Sequence, residues 1–223
     1  MGFALVFVTA CAGTQSPTRV DKSLFDYDSD LPVDIAEDRL IGDASTVVRH
    51  LTFPSPRGGD VSAMIFSPER GRTRAGVILQ HGLPGGGLLA GVEDRIDAFA
   101  LVVGDGGLVA HFTDNEGKPL GPLGELPEDE ADEWLAVMSP VEPALFIGDA
   151  SAPILLLNGR EDQLVTEEDA SSFHRAAGPE HEVILYNAGH GLNDEAWHKQ
   201  VRWLAEHLQL DADLVEACLD TRR

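Results

Sequence analysis

The chain has 223 residues, 43% of them apolar, enough for one domain with a buried core and too many for a disordered chain. Its formal charge is −22, from 38 acidic and 16 basic residues. A surface of that sign repels nucleic-acid phosphates and anionic headgroups, so no nucleic-acid partner is expected, and the acidity reads as a solubility feature. The two cysteines, Cys11 and Cys218, have neither zinc-ligand spacing nor a CxxC pairing. No apolar run is long enough to carry a helix across a membrane.

The first eleven residues, MGFALVFVTAC, are apolar and close on VTAC, which resembles the lipobox of bacterial lipoproteins. On that reading Cys11 carries a lipid, AGTQSPT is a polar tether, and the protein sits in the cell envelope or is secreted. The other reading is a frayed N-terminus on a cytoplasmic protein, because no basic residue precedes the apolar stretch as an export signal needs. Residues 1–20 are therefore set outside the fold. Residues 21–208 are expected to form a single domain and residues 209–223 a C-terminal tail.

The acidic segment 21–43 is expected to be an irregular lead-in. STVVRHLTFPSP and DVSAMIFSP, separated by the turn signal RGGD, read as an antiparallel hairpin. Four apolar runs follow, each suited to a strand covered on both faces: RAGVILQH, DAFALVVGDG, APILLLNGRED and EVILYNAGH. Helical patterns lie between and after them. A short helix is expected over Leu88–Asp94. PEDEADEWLAVM has Pro127 at its first position and acids in its first turn. TEEDASSFHRAAG opens on Thr166 with Asp169 three residues on and stops at Gly178. NDEAWHKQVRWLAEHL is capped by Asn193 and carries Trp197, Val201, Leu204 and Leu208 at helical spacing, a stripe expected to face the core. Strands alternating with helices predict an α/β fold with a mostly parallel sheet of about six strands and the hairpin at one edge.

In such sheets chemistry gathers beyond the carboxyl ends of the strands. Three ends stand out: Gln80-His81-Gly82, then Asn158 to Asp162, then Gly189-His190-Gly191. Asp162 precedes His190 by 28 residues, with a helix and a strand between, a spacing that brings both to one rim of adjacent strands. A carboxylate there holds an imidazole in one tautomer, and the imidazole acts as general base near neutral pH.

GREDQLVTEEDA followed by YNAGHGLNDEAWHKQVRWLAEHL resembles the end of an α/β-hydrolase, of the dienelactone hydrolase and prolyl-oligopeptidase-like branch. The hairpin and SPERGRTRAGVILQHG resemble the start of that group's third strand, and the likeness spans roughly residues 45 to 208. It implies a serine hydrolase acting by acyl transfer on carboxylic esters, or on peptide bonds, with no cofactor and no metal. Asp162 would be the triad acid and His190 the triad base. Gly82 and Leu83 would lie in the oxyanion region, where backbone N–H groups stabilise the tetrahedral intermediate.

The nucleophile that the resemblance requires is missing. The G-x-S-x-G elbow of such enzymes occurs nowhere in the chain. The nearest match is GLPGG, Gly82 to Gly86, with Pro84 in the serine position. Either this is a degraded elbow, or a helix–strand–helix piece is absent and QHGLP runs straight into the segment that follows the serine in the family. The second reading explains why features from both sides of the gap meet within five residues. The chain is then expected to be a weak or inactive hydrolase, or a non-catalytic binding protein on the same scaffold. A remaining alternative is a dinucleotide fingerprint over Gly85–Ala90, with Asp105 as its acid. His190, Asp194 and His198 have a spacing at which a metal is conceivable, but Asp194 is explained as a first-turn acid and no metal is expected.

Overall fold

The computed structural model describes residues 21–28, 30, 32–40, 46–56, 58–69, 75–79, 85–114, 116–179 and 181–220. Cys11 and the expected tether, and Gly82 and Leu83 of the expected oxyanion region, lie outside the described residues.

The hairpin forms as its sequence dictates. Strands β2 (Thr46–Pro54) and β3 (Asp60–Pro68) pair antiparallel through nine Cα partners, from Thr46↔Pro68 to Pro54↔Asp60. The reversal uses Gly58 and Gly59 at φ +94° and +76°, a region closed to most side chains. The peptide N–H of Ser55 closes it by donating to the Gly59 carbonyl at 2.8 Å. Part of the expected lead-in is itself a strand: β1 (Ala36–Leu40) pairs antiparallel with β2. Its sequence, AEDRL, has no strand signature of its own; the free edge of β2 supplies the partner.

The second sheet is parallel, in the order β4 (Phe99–Val102), β5 (Ile154–Gly159), β6 (Glu182–Tyr186). The chain therefore has an α/β fold whose six described strands divide into an antiparallel and a parallel sheet of three, where one sheet was expected. The run Ala75–Leu79 belongs to neither. It has no regular structure, and Val77, Ile78 and Leu79 are 57%, 76% and 85% exposed. An apolar run specifies that a strand would be covered, but it becomes one only where a neighbour offers a ladder.

The helices are α1 (Gly85–Val92), the short α2 (Gly121–Gly124), α3 (Glu128–Met138), the short α4 (Pro143–Phe146), α5 (Glu167–Ala177), α6 (Asp194–His207) and α7 (Ala212–Asp220), of which α1 and α5 cover one face of the parallel sheet and α6 the other. Alternate strand residues serve opposite layers. Phe99, Ile154 and Leu156 pack with Ala90 of α1, Ile147 beyond α4, and Phe173 and Ala177 of α5. Leu155, Leu157 and Tyr186 pack with Ala196 and Trp203 of α6. The capping box of Thr166 and Asp169 starts α5, Gly178 at φ +84° ends it, and the Asn193 side chain caps α6, each as its sequence signals. Pro127 stands one position before its expected place, as the N-cap of α3.

One further expectation is corrected. The buried side of α6 is that of Ala196, Trp203 and Ala205, whereas Trp197 is 42% exposed; Val201 and Leu204 are only partly covered. The sheet touches α6 along a line rotated from the one the apolar spacing marks. The tail contains a helix, α7, tied to α6 by a two-point ion pair from Arg202 to Glu216 at 2.6 and 2.8 Å.

Gly91 is where α1 crosses the chain at Phe146. A Cβ built there would run into the Phe146 carbonyl and side chain, which are buried. We expect Gly91→Ala to lower stability by about 1–3 kcal/mol, the usual range for overpacking. Urea unfolding followed by tryptophan fluorescence checks this; an unchanged midpoint would show that the crossing relaxes freely.

Candidate active site

Strand β5 is buried along its whole length and delivers the chain to the rim of the sheet. Its penultimate residue, Asn158, is fully enclosed and turns inward. The Asn158 amide donates to the Gly104 carbonyl at 3.0 Å, and its oxygen lies 3.0 Å from His174 Nε2 on α5. One buried side chain thus ties the ends of β4 and β5 to α5. Burial holds the His174 imidazole below its ordinary pKa, which favours the neutral ring.

Gly159 follows. A side chain at this position would collide with the carbonyls of Ala188 and Gly189. The missing Cβ lets the loop after β5 lie directly against the loop after β6. The two are then joined by main-chain bonds: Arg160 N–H to the Tyr186 carbonyl at 2.9 Å and Glu161 N–H to the Ala188 carbonyl at 3.0 Å.

That contact brings Asp162 and His190 together as their spacing suggests. Asp162 Oδ2 lies 2.9 Å from His190 Nδ1, and Asp162 Oδ1 accepts the N–H groups of Leu164 at 2.8 Å and Val165 at 3.1 Å. Asp162 is 6% exposed. Burial pushes its carboxyl up, but the two backbone donors and His190 outweigh it and hold the group below the ordinary carboxylate value. A carboxylate can only accept, so Nδ1 of His190 carries the proton and Nε2 is left for other work. The His190 side chain is 49% exposed, at the wall of a cleft.

The cleft has a volume of about 900 Å³. Ala98 to Val103 forms one wall and Gly76 to Leu79 another, with Leu164, Phe173 and His190 toward the rim. Among the described residues that line it there is no serine, threonine, cysteine or lysine. Strand β4 pairs with β5 alone among the described residues, so its other edge faces this space.

The residues of the other motifs are engaged in packing. Gly85–Ala90 is the body of α1, where Gly86 approaches Leu101 and Gly87 approaches Phe173, closer than any side chain would permit. Asp105 accepts the Gly107 N–H at 2.8 Å and pairs with His111 at 3.0 Å, partners a dinucleotide ribose would have to displace. No group of three or more potential metal ligands occurs among the described residues. Sequence reasoning missed the Asp105–His111 pair, although Asp105 closes an apolar run in the manner of Asp162. It also missed Gly159, whose need for closeness depends on a loop far along the chain.

No family model matches the chain, and no curated protein does. Among solved structures the chain is similar to the acetyl xylan esterase from Paenibacillus sp. R4, with a TM-score of 0.59 at 12% identity, covering 79% of this chain and 89% of that one. Weaker likenesses are to the Pyrococcus furiosus esterase Pf2001, with a TM-score of 0.39 at 14% identity over 94% of this chain and 98% of that one, and to a puromycin hydrolase, with a TM-score of 0.39 at 15% identity over 56% of this chain and 21% of that one. The first of these shows that the chain shares the α/β fold of that esterase.

Proposed function

We propose that this chain is a serine-hydrolase-type α/β protein of the dienelactone hydrolase-like branch, directed at carboxylic esters, that has kept the acid and the base of the catalytic machinery without its serine. The observation that carries the reading is the 2.9 Å bond from His190 Nδ1 to a buried carboxylate that two backbone N–H groups also hold. An exposed loop histidine has no need of that arrangement; a general base does, because it fixes the tautomer and stabilises the imidazolium formed on proton transfer. The reading that a helix–strand–helix piece is absent is supported by the cleft that separates Gly76–Leu79 from the free edge of β4. Without a serine, His190 Nε2 can draw a proton from a water that attacks the ester carbonyl. Loss of such a nucleophile costs on the order of a million-fold in turnover, so the activity is weak or nil. Peptide bonds are the second substrate class. The competing reading is a non-catalytic binding protein in the cell envelope, favoured by an apolar cleft whose described lining holds no nucleophile.

Three outcomes follow. A fluorophosphonate probe, which labels activated serines, should leave the protein unlabelled, while slow hydrolysis of p-nitrophenyl acetate should fall by about 10²-fold in His190→Ala, the lower end for general-base catalysis. Fluorophosphonate labelling would sink the claim that the serine is missing, and wild-type hydrolysis equal to that of His190→Ala would favour the binding reading. Gly159→Ala should lower the same activity at least as far by forcing the two loops apart; an unchanged rate would show that their contact is dispensable.

The third outcome concerns acid stability. A carboxyl held below its unfolded value stabilises the fold fully above the ordinary value of 3.8, and this contribution is lost as the pH falls through the lower folded value. Asp162→Asn should therefore be less stable than the parent near neutral pH, with the gap closing below that value. Urea midpoints measured at neutral and acidic pH test this; a gap that is constant with pH would refute it.

A further inference from the structure

Strand β4 ends much as β5 does, in a loop whose carboxylate holds an imidazole. Asp105 stands just beyond β4, with its carboxyl 13% exposed. One oxygen accepts the N–H of Gly107 at 2.8 Å and the other lies 3.0 Å from His111 Nδ1. Burial holds this carboxyl above its ordinary value against the opposing pull of the Gly107 N–H and His111. His111 belongs to a single 3₁₀ turn, Ala110–Phe112, anchored from behind by Glu142. The Glu142 carboxylate accepts the N–H groups of Leu108 at 2.5 Å, Val109 at 2.6 Å and Ala110 at 3.3 Å. The ring of His111 also stands edge-on to Phe112 at 5.9 Å. Both Asp105 and His111 line the cleft that His190 lines.

Two adjacent parallel strands thus bring two acid-held imidazoles to one cleft, each donating from Nδ1 and each keeping Nε2 for a ligand. A histidine that served only to close its own loop would not need a half-buried carboxylate, three further backbone donors to Glu142 and a place on the cleft wall.

We propose that His111, oriented by Asp105, is the second proton-transfer group of this cleft, protonating the leaving oxygen of a carboxylic ester while His190 takes a proton from the attacking water. The proposal rests on the reading of His190 given above. The step balances as hydrolysis. The step starts with His190 neutral and His111 as the imidazolium, protonated on both nitrogens with its charge countered by Asp105. Water oxygen bonds to the acyl carbon as its proton passes to His190 Nε2, and the bond from carbon to the leaving oxygen breaks as that oxygen takes the proton from His111 Nε2. The products are a carboxylic acid and an alcohol, and the two rings return to their starting states by exchange with solvent.

The leaving group separates the two roles. A p-nitrophenolate departs without a proton, whereas an alkoxide does not, so only the alkyl ester needs an acid. We expect His111→Gln to hydrolyse ethyl acetate about 10²-fold more slowly than the parent while its rate on p-nitrophenyl acetate changes by less than about threefold. Asp105→Asn, which still accepts from Gly107, should show the same selective loss. His190→Ala should lose both reactions. Equal losses on the two esters in His111→Gln, or no loss on either, would overturn the role of His111 while leaving that of His190 intact. A parent protein no faster than His190→Ala on p-nitrophenyl acetate would overturn both.

Discussion

Six consecutive residues, Ile154–Gly159, are withdrawn from water on both faces, and the rest of the parallel sheet is arranged around them. Leu155 and Leu157 meet α6, Ile154 and Leu156 meet α1 and α5, and the main chain between them ladders to β4 on one side and β6 on the other. Because the strand is enclosed, its carboxyl end has little freedom. Asn158 must be satisfied internally and is, by Gly104 and His174. Gly159 must accept a carbonyl where a side chain would stand. The 2.9 Å bond between Asp162 and His190 forms between the two loops that this bare glycine and their main-chain bonds hold together.

The same sheet has an open edge on its other side among the described residues. Strand β4 is laddered to β5 alone among the described residues, and the apolar run Ala75–Leu79 lies across a cleft of about 900 Å³ from it. Apolar side chains at 57–85% exposure are costly to keep in water, as each would gain roughly 1.5–3 kcal/mol if enclosed. The protein tolerates them beside a core that is otherwise dense. They give the cleft its apolar wall, opposite the edge of β4.

Local signals reached far into this structure. The RGGD reversal, the Thr166–Asp169 capping box, the Asn193 cap and the apolar runs of β5 and β6 depend on neighbours a few residues away, and each stands where its sequence places it. The pairing of Asp162 with His190 was legible for a related reason: one helix and one strand intervene, which in a parallel sheet returns the chain to the same rim. What failed was whatever needed a distant partner. AEDRL became a strand because β2 had an edge to fill, AGVIL did not because no ladder reached it, and α6 buried Trp203 instead of Trp197 because the sheet meets it on that side.

By itself, then, the amino-acid sequence determined the hairpin, the strands β5 and β6, the capped starts of α5 and α6, the shared rim of Asp162 and His190, and the lack of a G-x-S-x-G elbow, since these are written in composition, period and spacing. The tertiary structure alone decided that six strands divide into two sheets, that Gly159 must stay bare, and that Asp105 and His111 join His190 on one cleft. Those outcomes depend on which carbonyls, edges and side chains come within a few ångströms across long stretches of chain, and pairings of that kind leave no periodic trace in the residues that make them.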